Sequence, residues 1–523
     1  MNIEDRLLSL CKASYKASNK NSETLSNKAS YKASNKNSET LSNKASDKSS
    51  DKILSIETDS RKVMPGSIFV ALKGKTKDGH NYLEEAIKKG AKALVVEKNY
   101  PPLNKLVLKK NSGWICKTPN TRKILPLLLN EFYDHPTEKM FCVGVTGTNG
   151  KTTLSHILYF LFSQCGWRTS VIGTIKNKFE NLEQKNTLTT PESTELFKII
   201  NHFYTKGAKA LVMEVSSIGL DQERTEGIDF NLAVFTNLSK DHLDYHLNME
   251  SYFQSKKKLF ERSIHSSKNH FLGILNLDDP YGVRLAQEIK TPYISYGHKN
   301  ARFSWEILSQ DLSGTWFKLL FENKALKAYL PLPGLYNVSN AVAALCCVHS
   351  AGFSLEQAIE ALAEVPQVPG RLERICPHHP SLIFIDYAHT PQALKAVLSF
   401  LNQHKKNKII TVFGCGGNRD KEKRPLMANI AETFSDKVIL TSDNPRKEDP
   451  LKIIQDSMTG VQKKEKFTIE VDRKKAIEKS LLLAKKEDIL LVAGKGHERE
   501  QIVGQKRVPF NDIEVIKNYI GKI

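Results

Sequence analysis

Val143-Gly-Val-Thr-Gly-Thr-Asn-Gly-Lys-Thr-Thr153 is the stretch on which the fold turns. An apolar strand over 140–145 enters a glycine-rich turn, and 154–165 continues with the spacing of a helix. Backbone N–H groups of such a turn, with a helix N-terminus behind them, cradle phosphates. Gly147, Thr148, Asn149, Gly150, Lys151, Thr152 and Thr153 are therefore expected to bind ATP. Lys151 would reach the β- and γ-phosphates, and the Thr152 hydroxyl would serve Mg2+. Val145 stands where the strict P-loop spacing has its first Gly, but strand, turn, Gly-Lys-Thr and helix agree.

Outward from this motif, other polar groups close apolar strands, where open α/β sheets place their ligands. The strand 210–214 ends in Glu214, a carboxylate suited to a hard cation, and 232–235 leads to Asp241-His-Leu-Asp-Tyr-His246. Strands at 383–386, 409–413, 438–440 and 489–492 open into Asp386-Tyr-Ala-His-Thr-Pro391, Gly414-Cys-Gly-Gly-Asn-Arg-Asp420, Asp443-Asn-Pro-Arg446 and Gly494-Lys-Gly-His-Glu498. Nearer the N-terminus, 53–57, 67–72 and 93–96 read as strands and 82–90 as a helix. The alternation predicts an α/β fold with largely parallel sheets. Breaks at 134–139 and 365–370 divide it into three parts, 1–139, 140–369 and 370–523. Lys12–Asn27 recurs unchanged at Lys28–Asn43. Such Ser-, Asn- and Lys-rich repeats bury too little apolar surface to offset chain entropy, so 12–52 is expected to be a disordered insertion.

Composition sets the class. With 523 residues, 40% hydrophobic and 26% charged, the chain can build several cores. No long apolar run or signal-like N-terminus is present, and the eight cysteines show neither a Cys-x-x-Cys pair nor a disulfide framework. A cytoplasmic enzyme that neither spans nor binds a membrane is expected. The net charge of +20 suits a cleft for phosphates and carboxylates. No nucleic-acid module accompanies it, so nucleic acid is not an expected partner.

Gly147-Thr-Asn-Gly-Lys-Thr152, Glu214-Val-Ser-Ser217, Asp241–His246, Gly334-Leu-Tyr-Asn-Val-Ser-Asn340, Asp386-Tyr-Ala-His389 and Lys423-Arg-Pro425 together resemble the Mur ligase family. Thr58-Asp-Ser-Arg61, Thr189-Thr-Pro191, Asp443–Arg446 and Gly494–Glu498 resemble the branch that adds diaminopimelate. The resemblance runs from about residue 52 to the C-terminus, and residues 1–11 resemble the family's first short helix. It implies a domain for the UDP end, a central P-loop ATPase domain and a C-terminal Rossmann-like domain for the amino acid. The implied substrates are ATP, UDP-N-acetylmuramoyl-L-Ala-D-Glu and meso-diaminopimelate, with two Mg2+ ions and a monomeric enzyme. An acyl phosphate would be the intermediate.

By the same resemblance, Thr58, Ser60, Lys75, Thr76 and Lys77 would contact the UDP-sugar. Thr189, Thr190, Ser216, Gln222 and Arg224 would hold its peptide portion. Asn337, Asn340 and Asp386 would meet the adenine nucleotide, and Glu214 and His242 would serve Mg2+ beside Thr152. Arg419, Asp443, Asn444, Pro445, Arg446, Gly494 and Glu498 would bind diaminopimelate. Lys256 aligns with the family's carbamylated lysine (N6-carboxylysine), a second catalytic group beside Lys151 and a metal ligand as its carbamate. Carbon dioxide adds only to a neutral amine; Lys257 and Lys258 would favour the modification if they pointed inward, but both read as a solvated lysine run.

Three positions depart from the pattern. Ile218 replaces a common His, Asn418 the usual Asp of Gly-Gly-Asp-Arg-Asp, and Tyr336 a common Phe. A lysine-adding or folylpolyglutamate-type ligase, and a P-loop nucleic-acid ATPase, remain as alternative readings at this point.

Overall fold

Short apolar runs bounded by turn residues build the first sheet. In the computed structural model, which describes residues 3–20, 52–74, 77–99, 113–261 and 271–521, Ser55–Glu57, Ser67–Val70, Ala93–Glu97 and Trp114–Thr118 pair in that order, all parallel. Ser67–Val70 is buried throughout, as in a parallel strand covered on both faces. Phe69, Leu94 and Val96 pack with Leu83 and Ala86 of the helix Leu83–Lys88. This sheet lies in a compact unit formed by Met1–Lys139, Pro191–Lys206 and Asp221–Ile228. The helix Ser193–Thr205 joins it by packing on Thr121–Phe132.

Residues 12–20, expected to open a disordered insertion, instead continue the N-terminal helix, which runs Ile3–Lys20. Glu4 and Asp5 suit its first turn, and the Ala and Lys of the repeat extend a helix already nucleated. Leu7 and Cys11, four residues apart on one face, are buried. Ser14 Oγ lies 2.9 Å from Thr118 Oγ1. The remainder of the expected insertion, 21–51, and the expected contacts Lys75 and Thr76 lie outside the described residues.

The second compact unit, Met140–Thr190, Gly207–Leu220 and Asp229–Ile523, holds two further large sheets. In the first, Tyr293–Tyr296, Leu272–Asn276, Leu232–Phe235, Phe141–Thr146, Ala210–Glu214 and Thr169–Ile172 are adjacent and parallel. Phe303–Gln310 adds to Tyr293–Tyr296 in parallel, and antiparallel pairings beyond it and beyond Thr169–Ile172 bring the sheet to eleven strands. The helix Lys151–Gln164 carries Leu154, Ile157, Leu158 and Leu161 at helical spacing, all buried with Val338, Val342 and Leu345 of the helix Leu335–Ser350. Each such side chain contributes about 1.5–3 kcal/mol on burial. The second sheet orders Glu373–Ile375, Leu382–Asp386, Ile489–Ala493, Ile409–Phe413, Lys437–Leu440 and Phe467–Ile469. All its pairings but the first are parallel. The α/β expectation holds. Among the described residues no helix is long and apolar enough to cross a membrane.

Candidate active site

The turn after Phe141–Thr146 is built for close approach. Gly147 has φ 146°, and a Cβ there would lie 1.9 Å from Thr236 Oγ1. Gly150 has φ 90°, and its Cβ would meet Asn340 Oδ1 at 2.6 Å. Only glycine combines that backbone with that space. The Lys151 ammonium donates to the carbonyls of Gly147 (2.8 Å) and Thr148 (2.9 Å), folding over the loop. Thr152 Oγ1 donates to Glu214 Oε2 at 3.0 Å, and Thr174 donates to Glu214 through its N–H (2.8 Å) and its hydroxyl (2.9 Å).

Lys151, Thr152, Thr174 and Glu214 line a cavity of ≈ 430 Å³, together with Asn340, Arg371 and Asp386, and Gly147 is not part of its lining. Thr148, Asn149, Gly150, Thr153 and Thr189 also reach it. Asn337 does not: its amide donates to Pro333 O at 2.8 Å within its own helix entry. Tyr336 lines the cavity with its hydroxyl buried and unpartnered among the described residues. Arg371 was not anticipated. It follows Gly370 at the end of a Pro/Gly linker, which reads as a spacer, yet its Nη2 donates to Thr152 Oγ1 at 2.9 Å. Its guanidinium also sits 4.5 Å from the Tyr387 ring centroid.

Lys256 is 1% exposed beneath the loop. Its Nζ donates to Gly147 O at 2.9 Å, the oxygen that also takes Lys151 Nζ. Burial first, and the Lys151 charge second, pull its pKa well below the usual lysine range, against Asp241. Lys257 turns away to Glu288 (2.9 Å) and Glu261 (3.4 Å), and its pKa is raised, first by the Glu288 hydrogen bond. The like charge that matters comes from Lys151, distant in sequence and brought in by the loop.

His242 has φ 53°, and its Nε2 is 3.6 Å from Asp241 Oδ2. Burial lowers its pKa, keeping the imidazole neutral and able to ligate. Burial opposes ionisation of Asp241, but His242, His389 and Lys423 hold it at about 2. Among the described residues no group of three or more His, Cys, Asp and Glu could hold a metal. A cation here would draw on Thr152 Oγ1, Glu214 and phosphate oxygens, a hard-oxygen set that fits Mg2+.

Asp386 closes its strand inside the cavity, accepting the N–H of Leu372 (2.6 Å) and of Ala388 (2.7 Å). Burial raises its pKa from 3.8 to about 6, against Arg371 and those two donors. The folded state therefore keeps a proton that the unfolded chain loses, and Asp386 favours folding less as pH rises from 3.8 to about 6. Its charged acceptor form appears over the end of that range. The KM for ATP is expected to fall by up to about tenfold between pH 5 and 7, and Asp386→Asn should flatten that fall. Equal slopes in both enzymes would exclude Asp386 as the source.

A second cluster adjoins the first through this strand end, because Gly494 N–H donates to Asp386 O at 3.0 Å. Asn444 Nδ2 donates to Glu498 Oε2 (2.9 Å), and Lys495 Nζ donates to Glu498 Oε2 (2.7 Å) and Asn444 Oδ1 (3.2 Å). Lys495, fully buried, was missed because a lysine in a glycine loop reads as solvated. Gly494 has φ 108°, and a Cβ there would come within 2.9 Å of Asp443 Oδ2. Arg446, at φ 51°, donates through Nη1 to Gly417 O (2.9 Å) and Asn444 O (3.4 Å), and Pro445 O accepts Glu448 N–H (3.1 Å). Burial and the neighbouring Arg419 both lower its pKa, against Asp443 and Glu498. Arg419 Nη1 lies 3.4 Å from Asp244 Oδ2.

The residues expected to hold the UDP-linked substrate fall in both compact units. In the first, Thr58 and Lys77 flank the small sheet, while Ser60 Oγ donates to Glu85 at 2.8 Å. Arg224 pairs there with Glu192 (2.7 Å) and Gln222 (2.7 Å). In the second unit, Thr189 Oγ1 lies 3.1 Å from Thr174 Oγ1. Thr190 Oγ1 is engaged by Glu214 O and Ser216 N–H, and Ser216 Oγ accepts Gly219 N–H.

Comparison with known proteins gives three family matches: "Mur ligase family, catalytic domain" over 52–133, "Mur ligase middle domain" over 145–348 and "Mur ligase, glutamate ligase domain" over 370–496. A UDP-N-acetylmuramoyl-L-alanyl-D-glutamate–2,6-diaminopimelate ligase from Clostridium perfringens is 39% identical over 89% of this chain and 94% of its own. The protein of that name from Aquifex aeolicus is 40% identical, over 90% and 94%. A solved structure of a ligase with this name superposes with a TM-score of 0.62 at 32% identity, covering 89% of this chain and 94% of that one. The MurF ligase from Thermotoga maritima in complex with ADP shares the fold, with a TM-score of 0.60 at 21% identity over 90% and 97%.

Proposed function

We infer the working of this site from one premise: the chain belongs to the Mur ligase family. It is an ATP-dependent ligase of peptidoglycan synthesis that joins 2,6-diaminopimelate to UDP-N-acetylmuramoyl-L-alanyl-D-glutamate. In our reading residues 1–139 take the UDP end, 140–369 the nucleotide and 370–523 the amino acid, as the meso isomer. The enzyme works as a cytoplasmic monomer. The observation that carries this reading is the junction at Asp386, which faces the nucleotide cavity while its carbonyl holds Gly494 of the amino-acid cluster.

The chemistry follows from the substrate. A carboxylate resists attack, since addition would place further negative charge on an anion. The D-glutamate γ-carboxylate oxygen attacks the γ-phosphorus of ATP, ADP leaves, and an acyl phosphate remains. The neutral amine of diaminopimelate adds to its carbonyl carbon, and the tetrahedral oxyanion collapses with loss of phosphate to give the amide. Phosphoryl transfer is chiefly a matter of position and charge. Lys151 must leave its loop carbonyls to meet the phosphates, and Arg371, already on Thr152, faces the same end of the cavity. Thr152 and Glu214 would hold one Mg2+ ion, and His242 with carbamylated Lys256 a second, and such ions would supply neutralisation of the phosphate charge.

The test is amide and ADP formation from ATP and UDP-N-acetylmuramoyl-L-Ala-D-Glu, with diaminopimelate, lysine or glutamate offered in turn. Product with diaminopimelate alone is expected. ATP turnover that responds to nucleic acid, and not to these substrates, would overturn the reading.

A further inference from the structure

Behind Arg446 stands a buried clamp for which the chemistry above has no use. Arg424, in the helix Lys423–Phe434, is fully buried. Its Nη2 donates to both carboxylate oxygens of Glu448 (3.0 and 2.9 Å) and reaches Gly416 O at 3.5 Å, while Nη1 donates to Asp456 (2.7 Å). Glu448 Oε1 also accepts the Asn418 N–H. Asn418 holds φ 51°, a conformation Asn tolerates well, and its Oδ1 accepts Lys447 N–H at 3.0 Å. Gly417 N–H donates to Asn444 O at 3.0 Å, and Gly417 O receives Arg446 Nη1. The loops 414–420 and 443–448 are thus zipped together on either side of Arg446, with one guanidinium–carboxylate fork at the base.

We propose that the Arg424–Glu448 pair is a positioning device: it fixes the Gly416–Asn418 backbone that presents Arg446, and so sets the selection of an amino acid whose distal head bears a carboxylate. The proposal rests on the ligase reading and extends it to residues that need not touch substrate. A planar fork holding two acceptors leaves little freedom to what it clamps. The Arg446 backbone is held by Ile502 O (3.0 Å) and Gly504 N–H (2.6 Å), while its guanidinium takes its direction from the Gly417 carbonyl at 2.9 Å, so the side chain shifts if the Gly416–Asn418 loop drifts. Asn418 fits the same device, because its amide adds no carboxylate beside Glu448.

Glu448→Ala removes the acceptor for the Asn418 N–H and frees the loop. We expect the KM for diaminopimelate to rise by about tenfold or more, as for a binding group displaced by a fraction of an ångström. The KM values for ATP and the UDP-linked substrate should stay within about twofold, and the preference for diaminopimelate over lysine should shrink. Glu448→Gln, which retains the acceptor, should recover most of the loss. An unchanged diaminopimelate KM would overturn the proposal, as would a lowered Tm with all three KM values rising together. Should Glu448→Ala fail to fold, Arg424→Lys decides, since it keeps the charge and loses the fork: a rise in diaminopimelate KM alone supports the device, and no rise sinks it. Wild-type enzyme that made no amide from diaminopimelate would instead refute the ligase reading itself.

Discussion

Lys256→Ala is expected to lose about a thousandfold or more in turnover, roughly 4 kcal/mol in the barrier, whereas Lys257→Ala stays within about twofold. Two amines meet at one carbonyl oxygen, Gly147 O, with Lys256 buried and Lys151 half-buried. Two ammonium groups there would repel at short range in a poorly solvated site, so one amine is driven toward its neutral form. Burial and Lys151 push Lys256 in that direction, and a neutral amine is the form that adds carbon dioxide. The neutral amine adds carbon dioxide and releases a proton to solvent, and the resulting carbamate anion beside the Lys151 cation relieves the repulsion and offers an oxygen donor for a hard metal ion. Lys257, paired with Glu288 and Glu261, has neither the burial nor the cationic neighbour. Activity of both variants checks the contrast. Enzyme in 13C-bicarbonate should show a carbamate carbon resonance that Lys256→Ala lacks. Full activity of Lys256→Ala, or no such resonance in the wild type, would remove the modification from the mechanism.

What could be read from sequence divides along physical lines. Strand ends at Glu214, Phe235, Asp386 and Phe413 were legible because parallel strands buried on both faces are continuous apolar runs, and the first polar residue marks where each leaves the sheet. The phosphate loop was legible because its glycines are demanded by backbone geometry, a local property. Arg371 and Lys495 were not, because their roles come from contacts made only after folding: Arg371 meets Thr152 from across the sequence, and Lys495 is buried by Glu498, Asn444 and the Glu500 carbonyl. The same limit hides the charge that acts on Lys256. Adjacent lysines on one helix point in different directions, and the charge that acts on its amine is 105 positions away in sequence. The start of the repeat region misled for a different reason. Its composition opposes a core, but nothing in Lys, Ala and Ser opposes prolonging a helix that already exists.

Selectivity for diaminopimelate over lysine is expected to rest on Arg446, and Arg446→Ala to lose diaminopimelate use by about 2–4 kcal/mol, as for truncation of a buried charge pair. Diaminopimelate carries a second amino-acid head where lysine ends in an ammonium. Arg446 is half-buried beside Arg419, whose positive charge weighs against its own. Arg446 spends Nη1 on two carbonyls, which fix its direction without neutralising its charge. Such a site favours a carboxylate that can accept from a planar fork, and it repels an ammonium, so one side chain attracts the right substrate and rejects the wrong one. Glu498, held by Asn444 and Lys495, supplies the opposite sign for the distal amine. The head would then be read at both ends, a carboxylate by Arg446 and an ammonium by Glu498, and lysine satisfies only the second. Amide formation with each amino acid, in wild type and Arg446→Ala, measures both effects. The variant should fall sharply with diaminopimelate and rise with lysine, because the repulsion of its ammonium is relieved. Comparable wild-type rates with lysine, or normal diaminopimelate use by the variant, would move the selection to another residue.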